Sequence, residues 1–329
     1  MDEKSEAELL AELLVEAYGL TGGVSRLAGE SDNFLVTTDD ESFVLKLCTA
    51  SQDSAMLELE HRAVETVVAA GLGLELPRIV PTRRGVVEAA LTRDGVTLRG
   101  RLLRFVDGVA WNEAGTAGEQ RLRHLGGCVA GIVSALETVD HPAARRTHPW
   151  DLTAAATHRD KIRHVDDPAR RRVVDRAFEL FATHGEPYLG QLPHSLIHGD
   201  LNDENVLVEG DRVIGVLDFG DCLYNPTICE LAIALTYLLL DEADPLPAGA
   251  EIVAGYHAER LLGGREIEVL FPLVCGRLAA SVSIAAERRR VDPERTAWFV
   301  TEERAWRALE RYVRTDPSTA TKQLSRKER

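Results

Sequence analysis

The most informative part of this sequence is His198-Gly-Asp-Leu-Asn-Asp-Glu-Asn205, followed by Asp218-Phe-Gly220. A short apolar run precedes the first segment, and Val206–Val208 and Val213–Leu217 lie between the two. Runs of β-branched residues joined by a glycine-containing turn are typical of a β-hairpin. We therefore predict a buried strand, a polar loop and a hairpin that brings the two segments together.

The side chains of these two segments match the needs of phosphoryl transfer from a magnesium nucleotide. We predict that Asp200 is the catalytic base and that Asn205 and Asp218 supply oxygen ligands to Mg²⁺. An acidic surface loop is the plainer alternative, since Asp, Asn and Gly are common in loops. The two segments occur together, in order and between strands, which favours the catalytic interpretation. We interpret His198 as structural, bonded to backbone near Asp218, rather than as a base.

The composition limits the partners of the chain. It has 329 residues and a formal net charge of −15, which argues against nucleic-acid or anionic-membrane binding and suits a cationic small substrate. The five cysteines have no C-x-x-C spacing and most lie in apolar stretches, as in a reduced cytoplasmic protein. No secretory signal is indicated in residues 1–20, and Arg277 interrupts the apolar segment Val269–Ala286, so we predict no membrane span.

The pattern along the chain predicts two lobes and a tail. Residues 1–106 alternate short strands with two helices and form a small mixed nucleotide-binding lobe. Residues 107–314 are mainly of helical period and form a catalytic and substrate-binding lobe that contains the strands around Asp200. Residues 315–329 are polar and are predicted to be disordered. The oligomeric state is not indicated.

One lysine on an apolar strand of the first lobe is a candidate phosphate ligand. Lys46 shares a strand face with Val44, and a half-buried lysine needs an anionic partner. Nucleotide phosphates and a glutamate of the next helix would supply one. Glu60 is the favoured ion-pair partner, with Glu58 as the alternative because sequence alone does not fix the helix phase. An edge-strand lysine that prevents aggregation is the other interpretation.

Three further residues are predicted to contact the nucleotide. Ser31 lies in the loop Gly29–Asn33, which comes just before the first apolar strand and is placed to cover phosphates, although an ordinary turn explains it equally well. Phe105 and Asp107 lie at the predicted hinge between the lobes.

Three residues are candidate substrate contacts. Asp221 follows Asp218-Phe-Gly220, and Glu230 opens an apolar helix, so either carboxylate is placed to hold an ammonium group. Capping of a helix N-terminus is the alternative role of Glu230. Trp150 either lines the acceptor pocket or packs in the core.

Residues 25–312 resemble the aminoglycoside phosphotransferase and choline kinase superfamily of small-molecule kinases. The similar stretches are His198–Leu207, Gly215–Asp221, Glu230–Ile233 and Leu273–Arg277. The first two are shared widely in the superfamily, and the last two are more particular to its hydroxylysine-kinase-like branch. Gly199 stands where protein kinases have an arginine, and the chain lacks their G-x-G-x-x-G loop.

The resemblance implies an α+β, protein-kinase-like bilobal fold, with a small N-terminal β-sheet lobe and a larger helix-rich C-terminal lobe. It implies Asp200 as base, Asn205 and Asp218 as Mg²⁺ ligands, Lys46 as phosphate contact, and ATP or GTP as donor. The acceptor it implies is an amine-bearing alcohol, best matched by 5-hydroxylysine. An aminoglycoside, choline, ethanolamine or homoserine is the alternative acceptor. An inactive nucleotide-binding interaction module is the non-enzyme alternative, which the intact catalytic set argues against.

Overall fold

The computed structural model describes residues 3–27, 32–48, 54–93, 95–294, 299 and 301–325. The chain divides into two compact units, and the division falls inside a helix. The N-terminal unit comprises Met1–Glu65 and Leu76–Asp107, and the C-terminal unit comprises Thr66–Glu75 and Gly108–Arg329.

The N-terminal unit is built around an antiparallel sheet. Its elements in chain order are α1 (Glu3–Tyr18), β1 (Gly23–Arg26), β2 (Asn33–Thr37), β3 (Ser42–Leu47), α2 (Ser54–Ala69), β4 (Ile79–Val80), β5 (Ala89–Arg93) and β6 (Val96–Arg104). The strand order is β1-β2-β3-β6-β4, and β5 also pairs with β6. The hairpin of β2 and β3, which the sequence predicted, turns at residues 38–41, where the hydroxyl of Thr38 accepts a hydrogen bond from the backbone of Glu41.

Alternation along β3 sorts its side chains between the two faces of the sheet. Phe43 and Leu45 are buried in an apolar cluster with Leu10, Leu13 and Leu14 of α1. Lys46 lies on the opposite face and is half-buried, as the period of two predicts. The apolar face therefore holds α1 in place by hydrophobic burial.

The C-terminal unit is mainly helical. Its elements in chain order are β7 (Val109–Ala110), α3 (Glu119–Leu136), α4 (Pro168–His184), β8 (His194–Ile197), β9 (Val206–Glu209), β10 (Arg212–Val216), β11 (Leu223–Pro226), α5 (Ile228–Tyr237), α6 (Pro245–Glu259), α7 (Gly264–Val291), α8 (Glu302–Tyr312) and α9 (Pro317–Leu324). The β9–β10 hairpin is antiparallel as the sequence predicted, with Gly210 at positive φ in its turn. The pairing of β8 with β11 was not predicted.

Helix α7 forms the core of this unit. It has the length and apolar composition of a membrane span, but its apolar window is entirely buried inside the protein, as in the core helix of a globular domain. It packs against α4, α5 and α8. The single arginine within its buried stretch, Arg277, is 2 % exposed and therefore needs partners inside the protein.

The end of the chain differs from the disordered tail expected over residues 315–329. The structure forms α9 there, with the side chain of Asp316 accepting a hydrogen bond from the backbone N–H of Thr319 at its N-terminus. Ala320 and Leu324 are buried, and α9 packs against α6 and α7. Only two apolar residues in this segment are buried, which is why its polar composition concealed the helix.

Candidate active site

The polar loop between β8 and β9 (residues 198–205, the catalytic loop) is fixed at its start by a buried histidine. The ring of His198 is fully buried, its Nε2 lies 2.9 Å from the carbonyl of Leu217, and its Nδ1 accepts a 3.2 Å bond from the N–H of Asp200. Burial lowers the pKa of His198, so the ring is neutral and Nε2 carries the proton. These contacts agree with the structural role predicted for His198.

Glycine at position 199 is required by close backbone packing. Gly199 has φ +84°, and a Cβ atom there would lie 2.7 Å from the carbonyl oxygen of Asp221. The catalytic loop therefore packs directly on the segment Asp218–Asp221. A second link joins the N–H of Leu217 to the carbonyl of Asn205 at 2.8 Å. The two segments that the sequence singled out are thus neighbours in space.

Two amide side chains hold the carboxylate of Asp200. Asn202 and Asn205 each donate an Nδ2 hydrogen bond of 3.0 Å to Asp200 Oδ2. Asn205 Nδ2 also bonds the Asp200 carbonyl at 2.9 Å. Because its nitrogen is committed to Asp200, Asn205 presents its amide oxygen as an acceptor, which is what a metal ligand requires.

The side chains present fit a magnesium site whose remaining ligands would come from a bound nucleotide. Asp218 has φ 53° in the left-handed region and sits exposed at the start of a short 3₁₀ turn, where its Oδ1 accepts a bond from Gly220. Among the described residues no three His, Cys, Asp or Glu side chains cluster as a metal site. One carboxylate and one amide oxygen, completed by phosphates and water, is the sparse set that Mg²⁺ uses.

The pKa of Asp200 is raised to about 8, chiefly by burial. The positive charge of Arg277 lowers it, and the negative charges of Asp221 and Asp218 raise it further. The side chain nevertheless keeps 26 % exposure, so a reactant can reach it. In its ionised form a carboxylate with a raised pKa is a stronger base, and this form is the one that would accept a hydroxyl proton.

The structure corrects the substrate-binding role expected of Glu230. Its side chain is fully buried behind the catalytic loop, where Oε2 accepts a 3.1 Å hydrogen bond from the N–H of Gly199. With 0 % exposed surface and Oε2 bonded to the backbone of the loop, the side chain of Glu230 is not placed to hold an ammonium group of a substrate. The position of Glu230 at the start of an apolar helix misled the sequence interpretation, because the helix start lies under the loop rather than beside it.

Glu230 should make the stability of the protein fall as pH rises. Burial raises its pKa from 4.5 to about 7, so the folded state binds a proton more readily than the unfolded state. Stability is then greatest below the unfolded pKa and is lost as pH rises to the folded pKa. Glu230→Gln keeps an acceptor for Gly199 and removes this loss, which is worth about 3 kcal/mol at pH 8. Urea unfolding at about pH 5 and about pH 8 measures the difference.

The control for that comparison is Glu113→Gln, the same change at an exposed site of the C-terminal unit. It should leave the pH dependence of unfolding unaltered. If the wild type and Glu230→Gln lose stability in parallel between the two pH values, the carboxyl of Glu230 does not titrate in this range.

Asp221 and Trp150, two predicted substrate contacts, both interact with the buried cation Arg277. Asp221 Oδ1 lies 3.3 Å from His148 Nε2, and burial lowers the pKa of His148, so this neighbour is neutral. Trp150 is half-buried, and its ring lies 5.2 Å from the guanidinium carbon of Arg277. Both residues therefore stay candidates for the acceptor side of the site.

Sequence reasoning missed two arginines that contact the catalytic loop. Arg304 of α8 bonds Asp203 Oδ2 at 2.7 Å, and Asp203 is 1 % exposed, so this loop carboxylate is structural. Arg277 Nη2 lies 3.6 Å from Asp200 Oδ1. A lone arginine within an apolar helix was the available signal for Arg277, and it was read only as an argument against a membrane span.

The predicted nucleotide contacts of the N-terminal unit differ in their exposure and in their partners. Lys46 is paired across the sheet with Arg101, and Glu60 forms a buried 2.6 Å salt bridge with that arginine. Arg101 is thus a partner of Glu60 that sequence reasoning did not consider. Phe105 and Asp107 are exposed after β6. Ser31 lies outside the described residues.

These features are those of a kinase-like phosphotransferase: a sheet-rich unit, a helix-rich unit, and a catalytic loop with Asp200 and Asn205 next to the segment that carries Asp218. Residues 23–267 match the phosphotransferase enzyme family, APH, and the chain belongs to that family. It is a small-molecule phosphotransferase, and the predicted family and fold class are confirmed.

Two relatives are similar to this chain over most of its length. Hydroxylysine kinase of Mus musculus is 26 % identical over 309 residues, which cover 85 % of this chain and 81 % of the relative. Homoserine kinase of Methylobacterium nodulans is 29 % identical over 272 residues, which cover 80 % of this chain and 77 % of the relative. Both are kinases named for an amino acid that carries a hydroxyl group.

Two solved structures share the fold. A microcompartment-associated aminopropanol kinase superposes with a TM-score of 0.72 at 19 % identity and covers 93 % of this chain and 97 % of its own. An amicoumacin kinase solved with AMP-PNP and Ca²⁺ superposes with a TM-score of 0.68 at 17 % identity, with coverages of 94 % and 96 %. A nucleotide and a divalent cation are thus bound by a protein of this fold.

Proposed function

We propose that this protein transfers the γ-phosphate of ATP or GTP to a hydroxyl group of an amine-bearing small molecule, with 5-hydroxylysine or a similar amino alcohol as the acceptor. The observation that carries the proposal is the carboxylate of Asp200, buried on one side, held by two amides and open to a reactant on the other. The relation to hydroxylysine kinase supports the choice of acceptor.

Residues of the C-terminal unit would each have a separate role in the reaction. Asp200 accepts the proton of the attacking hydroxyl and orients it, and Asp221 attracts the ammonium group of the acceptor. Asn205 and Asp218 would hold Mg²⁺, which when bound neutralises charge on the phosphates. Lys46, Glu60, Ser31, Phe105 and Asp107 stay predicted nucleotide contacts. We also propose a cytoplasmic location, in keeping with cysteines that are thiols rather than disulfides.

An acceptor panel tests the proposal. The panel contains 5-hydroxylysine, homoserine, choline, ethanolamine and an aminoglycoside, each with ATP and with GTP in the presence of Mg²⁺, and ADP or GDP release is measured. We expect turnover to be highest with an amino acid alcohol. Preference for the aminoglycoside or choline would replace the proposed acceptor. Nucleotide binding by thermal shift without transfer to any acceptor would support a non-catalytic binding role.

A further inference from the structure

The two oxygens of the Asp200 carboxylate face different groups. Oδ2 accepts hydrogen bonds from Asn202 and from Asn205, the predicted metal ligand. Oδ1 faces the guanidinium group of Arg277, with Nη2 at 3.6 Å. Arg277 therefore lies on the side of the base that points away from the metal ligand. An acceptor whose hydroxyl group reaches Asp200 would therefore come close to Arg277.

The guanidinium group of Arg277 is held rigidly. Nε donates a 3.0 Å hydrogen bond to the hydroxyl of Tyr237, and Nη1 donates to the carbonyl of Trp150. The rings of Trp150 and Tyr237 lie 5.2 and 5.3 Å from its central carbon, within cation–π range. A guanidinium group whose Nε and Nη1 are already hydrogen-bonded loses little conformational entropy when it binds an anion.

The third nitrogen of the guanidinium group, Nη2, has no hydrogen-bond acceptor among the described residues. Within the part of the chain that the structure describes, the nearest acidic oxygen to Nη2 is Asp200 Oδ1, which lies beyond hydrogen-bond distance at 3.6 Å. Arg277 is 2 % exposed, and a buried charged donor left without a full partner is costly. An anionic group of a ligand would complete its bonding.

We propose that Arg277 binds the carboxylate of the acceptor, so that the enzyme selects amino acid alcohols over amino alcohols that lack a carboxylate. This inference rests on the proposed function and adds to it the residue that determines specificity. The nearby Asp221, whose neighbour His148 is neutral, takes the ammonium group. A zwitterionic acceptor then satisfies both charges, whereas a polycationic aminoglycoside would bring an ammonium group toward a fixed cation.

The transferred phosphoryl group is the other anion that could reach an arginine beside the base. The geometry favours the carboxylate because Arg277 and the metal ligand Asn205 approach different oxygens of Asp200. The two roles also differ in what they predict. A phosphoryl contact affects every acceptor alike, whereas a carboxylate contact affects only acceptors that have one.

Acceptor pairs that differ by one carboxylate test the inference. L-homoserine is compared with 3-amino-1-propanol, and 5-hydroxylysine with its decarboxylated diamino alcohol. We expect wild-type kcat/KM to favour the carboxylate member by about 10- to 100-fold, the value of a charge-assisted hydrogen bond to a buried site. In Arg277→Gln this ratio should fall to near one, mostly through KM, and in Arg277→Lys it should be intermediate.

Arg288→Gln is the matched control. Arg288 lies on the same helix, about three turns further on, and its guanidinium carbon is 5.5 Å from the ring of Trp150. This variant should keep the wild-type ratio. Loss of the ratio in Arg288→Gln, or an equal loss for both members of each pair in Arg277→Gln, would overturn the assignment. If Arg277→Gln does not fold, Arg277→Lys and the wild-type ratio still decide.

Calorimetric binding of the same pairs to the wild type separates this inference from the proposed function. Tighter binding of the carboxylate members without any turnover would contradict the kinase activity and leave the anchor intact. Turnover with equal binding and equal kcat/KM for both members would contradict the anchor alone.

Discussion

Asp200→Asn should lower kcat by about 10²–10⁴-fold, the usual range for loss of acid–base assistance. The amide keeps an oxygen that can accept the hydrogen bonds of Asn202 and Asn205, so the catalytic loop should retain its shape. It cannot take a proton from the attacking hydroxyl at neutral pH. Steady-state kinetics with saturating acceptor and Mg-nucleotide measure the loss. Nucleotide affinity, measured by thermal shift, should stay within a few-fold of the wild type.

Asp211→Asn is the matched control for this prediction, since Asp211 is an exposed carboxylate in the turn between β9 and β10. Its kcat should equal that of the wild type. If Asp200→Asn keeps more than about one hundredth of wild-type turnover, Asp200 neither accepts the proton nor orients the hydroxyl.

The catalytic loop was predictable from sequence because its chemistry is local. Asp200 and Asn205 lie within one loop, and the β9–β10 hairpin that returns the chain to Asp218 has a strand-turn-strand pattern. The role of His198 could be predicted for the same reason, because its contacts are also close to it in sequence. Local spacing fixes which residues meet when a single hairpin separates them.

The partners of that loop were not predictable, because they come from distant helices. Arg277 reaches Asp200 from α7, and Glu230 reaches Gly199 from α5. Helical period shows that these residues are on helices but not which face meets the loop. Burial then decided the roles: a fully buried Glu230 supports the loop, and a buried Arg277 implies a partner that the sequence did not name.

Ion pairs in the N-terminal unit were also not predictable from sequence, because their partners come from distant elements. The sequence placed Lys46 correctly on the polar face of β3, but it did not place Arg101 as its neighbour across the sheet. Register between β3 and β6 is set by packing over many residues, and a shift of one would have turned Arg101 to the other face. The buried salt bridge of Glu60 with Arg101 depends on that register.

Asp218→Asn should reduce turnover by about a hundredfold or more at ordinary Mg²⁺ concentration, because metal-based charge stabilisation is worth several kcal/mol. Asparagine is the suitable replacement: Asp218 has φ 53°, and Asn tolerates the left-handed region better than other residues. The backbone of the 3₁₀ turn should therefore persist. The amide is a neutral, weaker ligand, so part of the loss should be recovered as the Mg²⁺ concentration is raised. Turnover measured against Mg²⁺ concentration gives the shift.

Asp221→Asn separates metal binding from loss of negative charge in general. It removes the same charge three residues further on, from a carboxylate whose Oδ1 lies 3.3 Å from His148 Nε2. We expect it to raise the KM of the acceptor and to leave the Mg²⁺ dependence as in the wild type. A similar shift of the Mg²⁺ dependence in both variants would mean that the cation responds to the total charge of the segment. Direct coordination by Asp218 requires that only Asp218→Asn moves it, because a ligand acts through a bond at one position.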